Sequence, residues 1–145
     1  MTKCSAFGTT YTATISPDDD PGPPARDIDR LSALVPLRQA RILELGCGGA
    51  ELTRAIAEKH ADAQITALEV DRVQHAKNLS VRDLPNVAFG FGGADEIPAP
   101  DGGFDVVLMA KSLHHVPVDR MERALTEIAR VLRPGGLAFF SEPVY

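Results

Sequence analysis

Residues 41–51 read Arg-Ile-Leu-Glu-Leu-Gly-Cys-Gly-Gly-Ala-Glu, and their pattern decides the fold. Ile42, Leu43 and Leu45 make a short apolar run, suited to a strand buried on both faces of a parallel sheet. The run breaks at Gly46-Cys47-Gly48-Gly49 and gives way to a helical pattern over residues 51–59. Strand, glycine loop and helix in succession lay a small polar ligand across the start of the helix. Glycines in such a loop take backbone angles closed to other residues and let the main chain approach a ligand. A dinucleotide fingerprint counted from Gly46 would need glycine at position 51, which is Glu51. No Lys-Ser/Thr pair follows, so this is not a Walker loop. Glu44 sets a carboxylate at the mouth of the loop, which disfavours a phosphate and favours a cationic or zwitterionic ligand.

Outward from this stretch, strand and helix signals alternate. Downstream, Leu52, Ala55 and Ile56 form a helix face, and residues 64–70 read as a second strand ending near Glu69. Asp71 is placed to cap a helix over residues 72–79. Residues 87–91 form a third strand, residues 92–103 a loop, and residues 104–110, FDVVLMA, a fully buried fourth strand. Met121, Leu125, Ile128 and Leu132 fall on one stripe of a following helix. Pro134-Gly135-Gly136 ends that helix, and residues 137–141 make a fifth strand. Upstream, Ile28, Leu31 and Leu34 mark a helix over residues 27–35. Residues 9–15 have a strand-like composition, and residues 18–24 form an acidic, proline-rich linker, read as a solvated turn.

This alternation predicts an α/β fold: a doubly wound, mostly parallel five-stranded sheet with helices on both faces, in the order 3-2-1-4-5. Its ligand crevice lies beyond the carboxyl ends of the strands. Glu44, Gly46, Glu69, residues 93–95 and residues 110–112 all map to that edge. Residues 1–26 read as an extension and residues 27–145 as the domain.

Composition narrows the function. The chain has 145 residues, 44% hydrophobic and 24% charged, with net charge −5, which fits one globular domain and does not favour nucleic acid as a partner. Cys4 and Cys47 make neither a disulfide framework nor a zinc site, so a reducing, cytoplasmic setting is expected. No run approaches a membrane span, and no metal site is expected.

The segment ILELGCGGA resembles motif I of the class I S-adenosylmethionine-dependent methyltransferases, with Ala50 where that family usually carries a third glycine. The resemblance extends to residues 110–116, whose Leu113-His114-His115-Val116 is similar to the L-H-H-V segment of a small-molecule subgroup, and to Arg133-Pro134-Gly135-Gly136-Leu137. It implies that S-adenosylmethionine is the methyl donor and S-adenosylhomocysteine the product. It implies that Glu44, Gly46, Cys47, Gly48 and Ala110 surround the methionine end. Glu69, about 20 residues past the loop, is placed to accept ribose hydroxyls, and Val70 packs on the adenine. The family's adenine-binding Asp corresponds to Gly93. Ala94 keeps its place, and either Asp95 takes over the adenine amino group or that contact is lost. Asp105 reads as structural. Lys111 beside a sulfonium must point away.

Methyl transfer from a sulfonium is an in-line displacement, so alignment and exclusion of water matter more than a nucleophile set. His114 or His115 is the candidate proton acceptor; neighbours on a helix diverge by about 100°, so they do not share a metal ion. The expected function is methyl transfer to a small-molecule acceptor. Its rivals are a cofactor-binding domain without catalysis and a nicotinamide-dependent oxidoreductase. Members of the resembled family continue past the fifth strand with a helix and an antiparallel strand pair. The domain therefore reads as truncated at its C-terminus, with an open edge near residues 137–140 where residues 9–15 or a second copy would pair.

Overall fold

The computed structural model describes residues 5–6, 9–10 and 24–143. Helix α1 (Pro24–Leu34) leads into strand β1 (Arg41–Leu45), followed by α2 (Glu51–Lys59), β2 (Gln64–Glu69), α3 (Arg72–Asn78), β3 (Val87–Phe91), β4 (Phe104–Ala110), α4 (Met121–Val131) and β5 (Leu132–Ser141). The five strands form one sheet in the order β3-β2-β1-β4-β5, and every neighbouring pair is parallel. Strand β1 lies at the centre, which explains its uninterrupted burial from Ile42 to Leu45.

Alternation along the strands divides the core into two layers. Ile42, Ile65, Val106 and Leu108 face one way and pack with Ile28, Leu31 and Ile56 of α1 and α2. Leu43, Leu45, Val107 and Met109 face the other way and pack with Ala124, Ile128 and Val131 of α4. Helices thus cover both faces, and all five carboxyl ends point to one edge.

Several boundaries differ from the sequence reading, each for a local reason. Helix α1 begins at Pro24, since proline suits a first helical position. Strand β2 ends at Glu69 and α3 at Asn78, each one residue early. The buried stripe of α4 is Ala124, Ile128 and Val131, whereas Leu125 is 47% exposed. Small Ala124 lets the helix axis approach the sheet, and the larger Met121 and Leu125 are turned aside. Strand β5 starts at Leu132, before the Pro-Gly-Gly break. Phe104 pairs with Leu132 and Val106 with Leu137, so residues 133–136 bulge out opposite Asp105. Pro134 has no N–H for the ladder and Gly135 takes φ +78°, so the break remains, inside a strand. Thr9 and Thr10 pair antiparallel with Ser5 and Ala6 and not with β5; residues 11–15 of that expected strand lie outside the described residues.

Candidate functional site

The turn from β1 into α2 is built on close contacts. Gly46 and Cys47 both donate their N–H groups to the Leu68 carbonyl, at 2.9 and 3.0 Å, which draws the loop over the end of β2. Gly46 has φ +70°, and a Cβ there would stand 2.7 Å from Ser112 Cβ. Ser112 is fixed in turn by its hydroxyl, which donates to the Leu45 carbonyl at 2.9 Å. Gly48 has φ +53° with nothing within 4 Å of a Cβ position, so its outer side is open. Ala50, where the resembled family has glycine, also takes a left-handed conformation, φ 63°, at the N-cap of α2. That strain costs about 1 kcal/mol and is held by the buried setting of the residue.

Glu69 ties this loop to α3. Its Oε2 accepts the Gly48 N–H at 2.7 Å, and its Oε1 accepts the Val70 and Asp71 N–H groups, both at 2.9 Å. A carboxylate has about four lone-pair sites, so Oε2 keeps one acceptor direction in reserve. Asp71 caps α3 by accepting the Gln74 N–H at 2.8 Å. Between loop and helix lies a cleft of about 450 Å³ lined by Gly48, Glu69, Asp71, Val73, Gln74 and Lys77. A second cleft, about 340 Å³, opens between Arg38 and Leu137 at the opposite edge of the sheet.

Glu44 corrects the sequence reading. It does not stand at the mouth of the loop; it lies beneath it, 3% exposed, where Thr53 Oγ1 donates to its Oε2 at 2.5 Å. Burial pushes its carboxyl up to about 7, against the opposing pull of the Thr53 hydrogen bond. The unfolded chain holds this carboxyl near its ordinary 4.5, so between these values the folded state keeps a proton that the unfolded state has lost. Stability of the free protein should therefore fall as pH rises from about 4.5 to about 7. Glu44→Gln should flatten that slope and stabilise the free protein at pH above 7 by about 2 kcal/mol, the buried amide keeping part of the desolvation penalty. Thermal melts across pH of both forms check this; equal slopes would contradict it.

Cys47 is buried, and its thiol is pushed up to about 12, first by burial and then by the charges of Glu44 and Glu69. It is therefore no nucleophile at neutral pH. Asn78, which sequence reasoning missed, donates from Nδ2 to the Gly48 carbonyl at 2.9 Å and to Cys47 Sγ at 3.5 Å. A polar residue inside a seven-residue helix carries no sequence signal for that contact. Thr53, one turn into α2, was missed for the same reason.

Val70, Ala94, Asp95 and Ala110 close or follow β2, β3 and β4 at the same edge. Val70 is 59% exposed just past β2, and Ala94 is buried against the second core layer. Neither lines the larger cleft, nor do Asp95 and Ala110. A Cβ at position 93 would stand 3.1 Å from Asp95 Oδ1 and 3.1 Å from Val70 Cγ1, so the Asp95 carboxylate fills the space beside Gly93. Its Oδ2 accepts from Arg120 Nη1 at 3.0 Å. Ala110 ends β4 opposite Ser141. Lys111 has φ 55° and an exposed side chain. Asp105 lies at the far edge, where it accepts the Arg41 N–H at 2.7 Å and pairs with the Arg41 and Arg133 guanidiniums.

His114 and His115 sit in a single 3₁₀ turn, Leu113–His115. Their rings lie 4.0 Å apart instead of diverging as they would along an α-helix. Glu142, also missed, joins this turn to the end of β5: its Oε1 accepts the Leu113 N–H at 2.7 Å and its Oε2 meets His114 Nδ1 at 2.5 Å. Burial raises the Glu142 carboxyl, but the bonds from His114 and Leu113 outweigh it and hold the group below its usual range. An ionised carboxylate only accepts, so His114 Nδ1 carries the hydrogen of this contact, and Nε2 has no partner among the described residues. Histidine and glutamate 28 residues apart leave no local pattern in a sequence. Among the described residues no cluster of three His, Cys, Asp or Glu side chains could hold a metal ion, and no helix is long and apolar enough to cross a membrane.

Comparison with known proteins gives this edge a family. Residues 42–136 match the family described as "Methyltransferase domain". The chain is 39% identical over 113 residues to 27-O-demethylrifamycin SV methyltransferase of Amycolatopsis mediterranei, covering 74% of this chain and 40% of that protein. The structure superimposes on the crystal structure of the [4+2]-cyclase SpnF with TM-score 0.71 at 32% identity, covering 81% of this chain and 44% of the other. It matches a putative sarcosine dimethylglycine methyltransferase from Galdieria sulphuraria equally well, TM-score 0.71 at 25% identity, over 81% and 44% of the two chains. The chain thus spans less than half the length of these relatives. A glycine loop without the dinucleotide fingerprint, an acid closing β2, an all-parallel sheet in this order and a matched family together leave one assignment: the chain belongs to the methyltransferase-domain family, with the class I, Rossmann-like fold of S-adenosylmethionine-dependent methyltransferases.

Proposed function

We propose that this chain transfers a methyl group from S-adenosylmethionine to a small-molecule acceptor and releases S-adenosylhomocysteine. The observation that carries the reading is Glu69, which spans the open-faced Gly48 and the N-cap residue of α3 while keeping an acceptor direction free. The residues suit a cationic adenosyl ligand: Glu44 and Glu69 flank the loop, and neither is paired with a cation among the described residues. Glu69 would accept a ribose hydroxyl. Gly46, Cys47 and Gly48 would let the main chain approach the methionine end, with Ala110 beside it. Glu44 would set negative charge beneath the ammonium group. Val70 and Ala94 would flank the adenine, and Asp95, its Oδ1 beside position 93, would accept from the adenine amino group.

S-adenosylmethionine supplies the electrophilic methyl group on its sulfonium. His114 would be the proton acceptor: Glu142 engages its Nδ1, and Nε2 would take the acceptor's proton. His115 lies beside it, its ring tilted by 43°, and would line the acceptor's approach. A relative that methylates 27-O-demethylrifamycin SV supports a hydroxyl-bearing small molecule as acceptor, and the net charge of −5 does not favour nucleic acid. A cytoplasmic setting fits the free, buried Cys47. Strand β5 ends the sheet with Phe140 38% exposed, and a second copy pairing there would make a homodimer; a monomer in light scattering would overturn that. The test of function is transfer of labelled methyl groups to a panel of hydroxylated small molecules. Acceptor-dependent label incorporation is expected. Binding of the donor with no incorporation into any hydroxyl, amine or carbon acceptor would overturn the catalytic reading.

A further inference from the structure

We propose that Asn78 is a positioning residue, turning the Gly48–Gly49 peptide so that the Gly49 N–H meets the amino-acid carboxylate of the methyl donor. This rests on S-adenosylmethionine being the ligand of the site. Asn78 is buried near the end of α3. Its Nδ2 donates to the Gly48 carbonyl at 2.9 Å, and its Oδ1 accepts from Gln74 Nε2 at 2.9 Å, which fixes which way the amide faces. Gly48 is therefore held at both ends, its N–H by Glu69 on β2 and its carbonyl by Asn78 on α3.

The consequence falls on the next residue. In a trans peptide the carbonyl and the following N–H point in opposite directions, and no described peptide bond is cis. With the Gly48 carbonyl drawn toward α3, the Gly49 N–H is directed away from it. Gly49 is exposed, and its N–H has no partner among the described residues. It stands just ahead of the first turn of α2, where unpaired N–H groups and the helix dipole favour an anion. Glu69 disfavours a carboxylate on its own side of the loop, so the turned Gly49 N–H marks where the carboxylate end can lie. Glycine at 48 and 49 leaves that peptide free to rotate, and Asn78 removes the freedom.

The test compares two ligands by calorimetry, well below the melting temperature: S-adenosylhomocysteine, which carries the amino-acid group, and 5′-methylthioadenosine, which lacks it. Asn78→Ala should weaken S-adenosylhomocysteine about tenfold, the worth of one charge-assisted hydrogen bond, and leave methylthioadenosine within about twofold. Gln74→Ala loosens the Asn78 amide, and any effect of Gln74 as a cleft-lining residue falls on both ligands alike; the same selective loss, at roughly two- to threefold, is expected and carries the test if Asn78→Ala fails to fold. Parallel weakening of both ligands, or of neither, would assign Asn78 a purely structural part and overturn the inference. An unaltered chain that binds neither ligand would overturn the cofactor reading, and this inference with it.

Discussion

Replacing Glu69 with alanine should weaken S-adenosylhomocysteine binding by a hundredfold or more. A hydrogen bond from a ribose hydroxyl to an ionised carboxylate is worth about 1.5–3 kcal/mol, and about 2.7 kcal/mol is a hundredfold in affinity. The substitution also frees the N–H groups of Gly48, Val70 and Asp71, all three of which Glu69 accepts. Gly48 then loses its side-chain tie to the end of β2 while Gly46 and Cys47 stay bonded to Leu68, so local loss of order at Gly48 adds to loss of the contact. Glu69→Gln keeps one acceptor oxygen and should fall between the two. Calorimetric titration beside a melting curve checks this. If the alanine variant is folded and binds within about threefold of the unaltered chain, the ribose is held elsewhere.

The second large effect belongs to His114. General-base catalysis contributes about 10²–10⁴ in rate, so His114→Ala should lower kcat for methyl transfer to a hydroxyl acceptor by a hundredfold or more. Its S-adenosylhomocysteine affinity should be unchanged, since the ring lies on β4's side of the edge and touches Glu142, away from the glycine loop. Glu142→Gln leaves the imidazole in place but removes the carboxylate charge beside its Nδ1 and should cost about tenfold. Both losses should shrink at high pH, where a hydroxyl acceptor ionises without help. A His114→Ala variant with undiminished kcat would assign the proton to water or to another group.

The two halves of this site were unequally legible in the sequence. The apolar run at residues 42–45, the glycines after it and the acid closing β2 are consecutive or at fixed spacing, because strand period and turn chemistry are local properties. They locate Glu69 at the end of β2 and the loop between β1 and α2, as the structure has them. The level of Glu44 was misjudged, because its partner Thr53 lies on the next helix. Asn78, Ser112 and Glu142 act across 30, 67 and 29 residues of sequence, and such contacts exist only once the sheet is assembled. The stripe of α4 was misplaced because side-chain size, not periodicity alone, sets which face comes close to a sheet. Ala124 was the informative residue there, and the larger Leu125 was the conspicuous one. The bulge at residues 133–136 shows the converse: the Pro-Gly-Gly signal was real, but a strand tolerated it.

We propose that the carboxyl edge of this sheet holds an adenosyl ligand between the glycine loop and the end of β2. Amide NMR of the unaltered chain during titration with S-adenosylhomocysteine tests it most directly. Saturable shifts are predicted for Gly48, Gly49, Val70, Asp71 and Ala94, with Arg41, Asp105 and Gly135 at the far edge unmoved. Unchanged amides at saturating ligand, or shifts gathered at the cleft between Arg38 and Leu137, would contradict it.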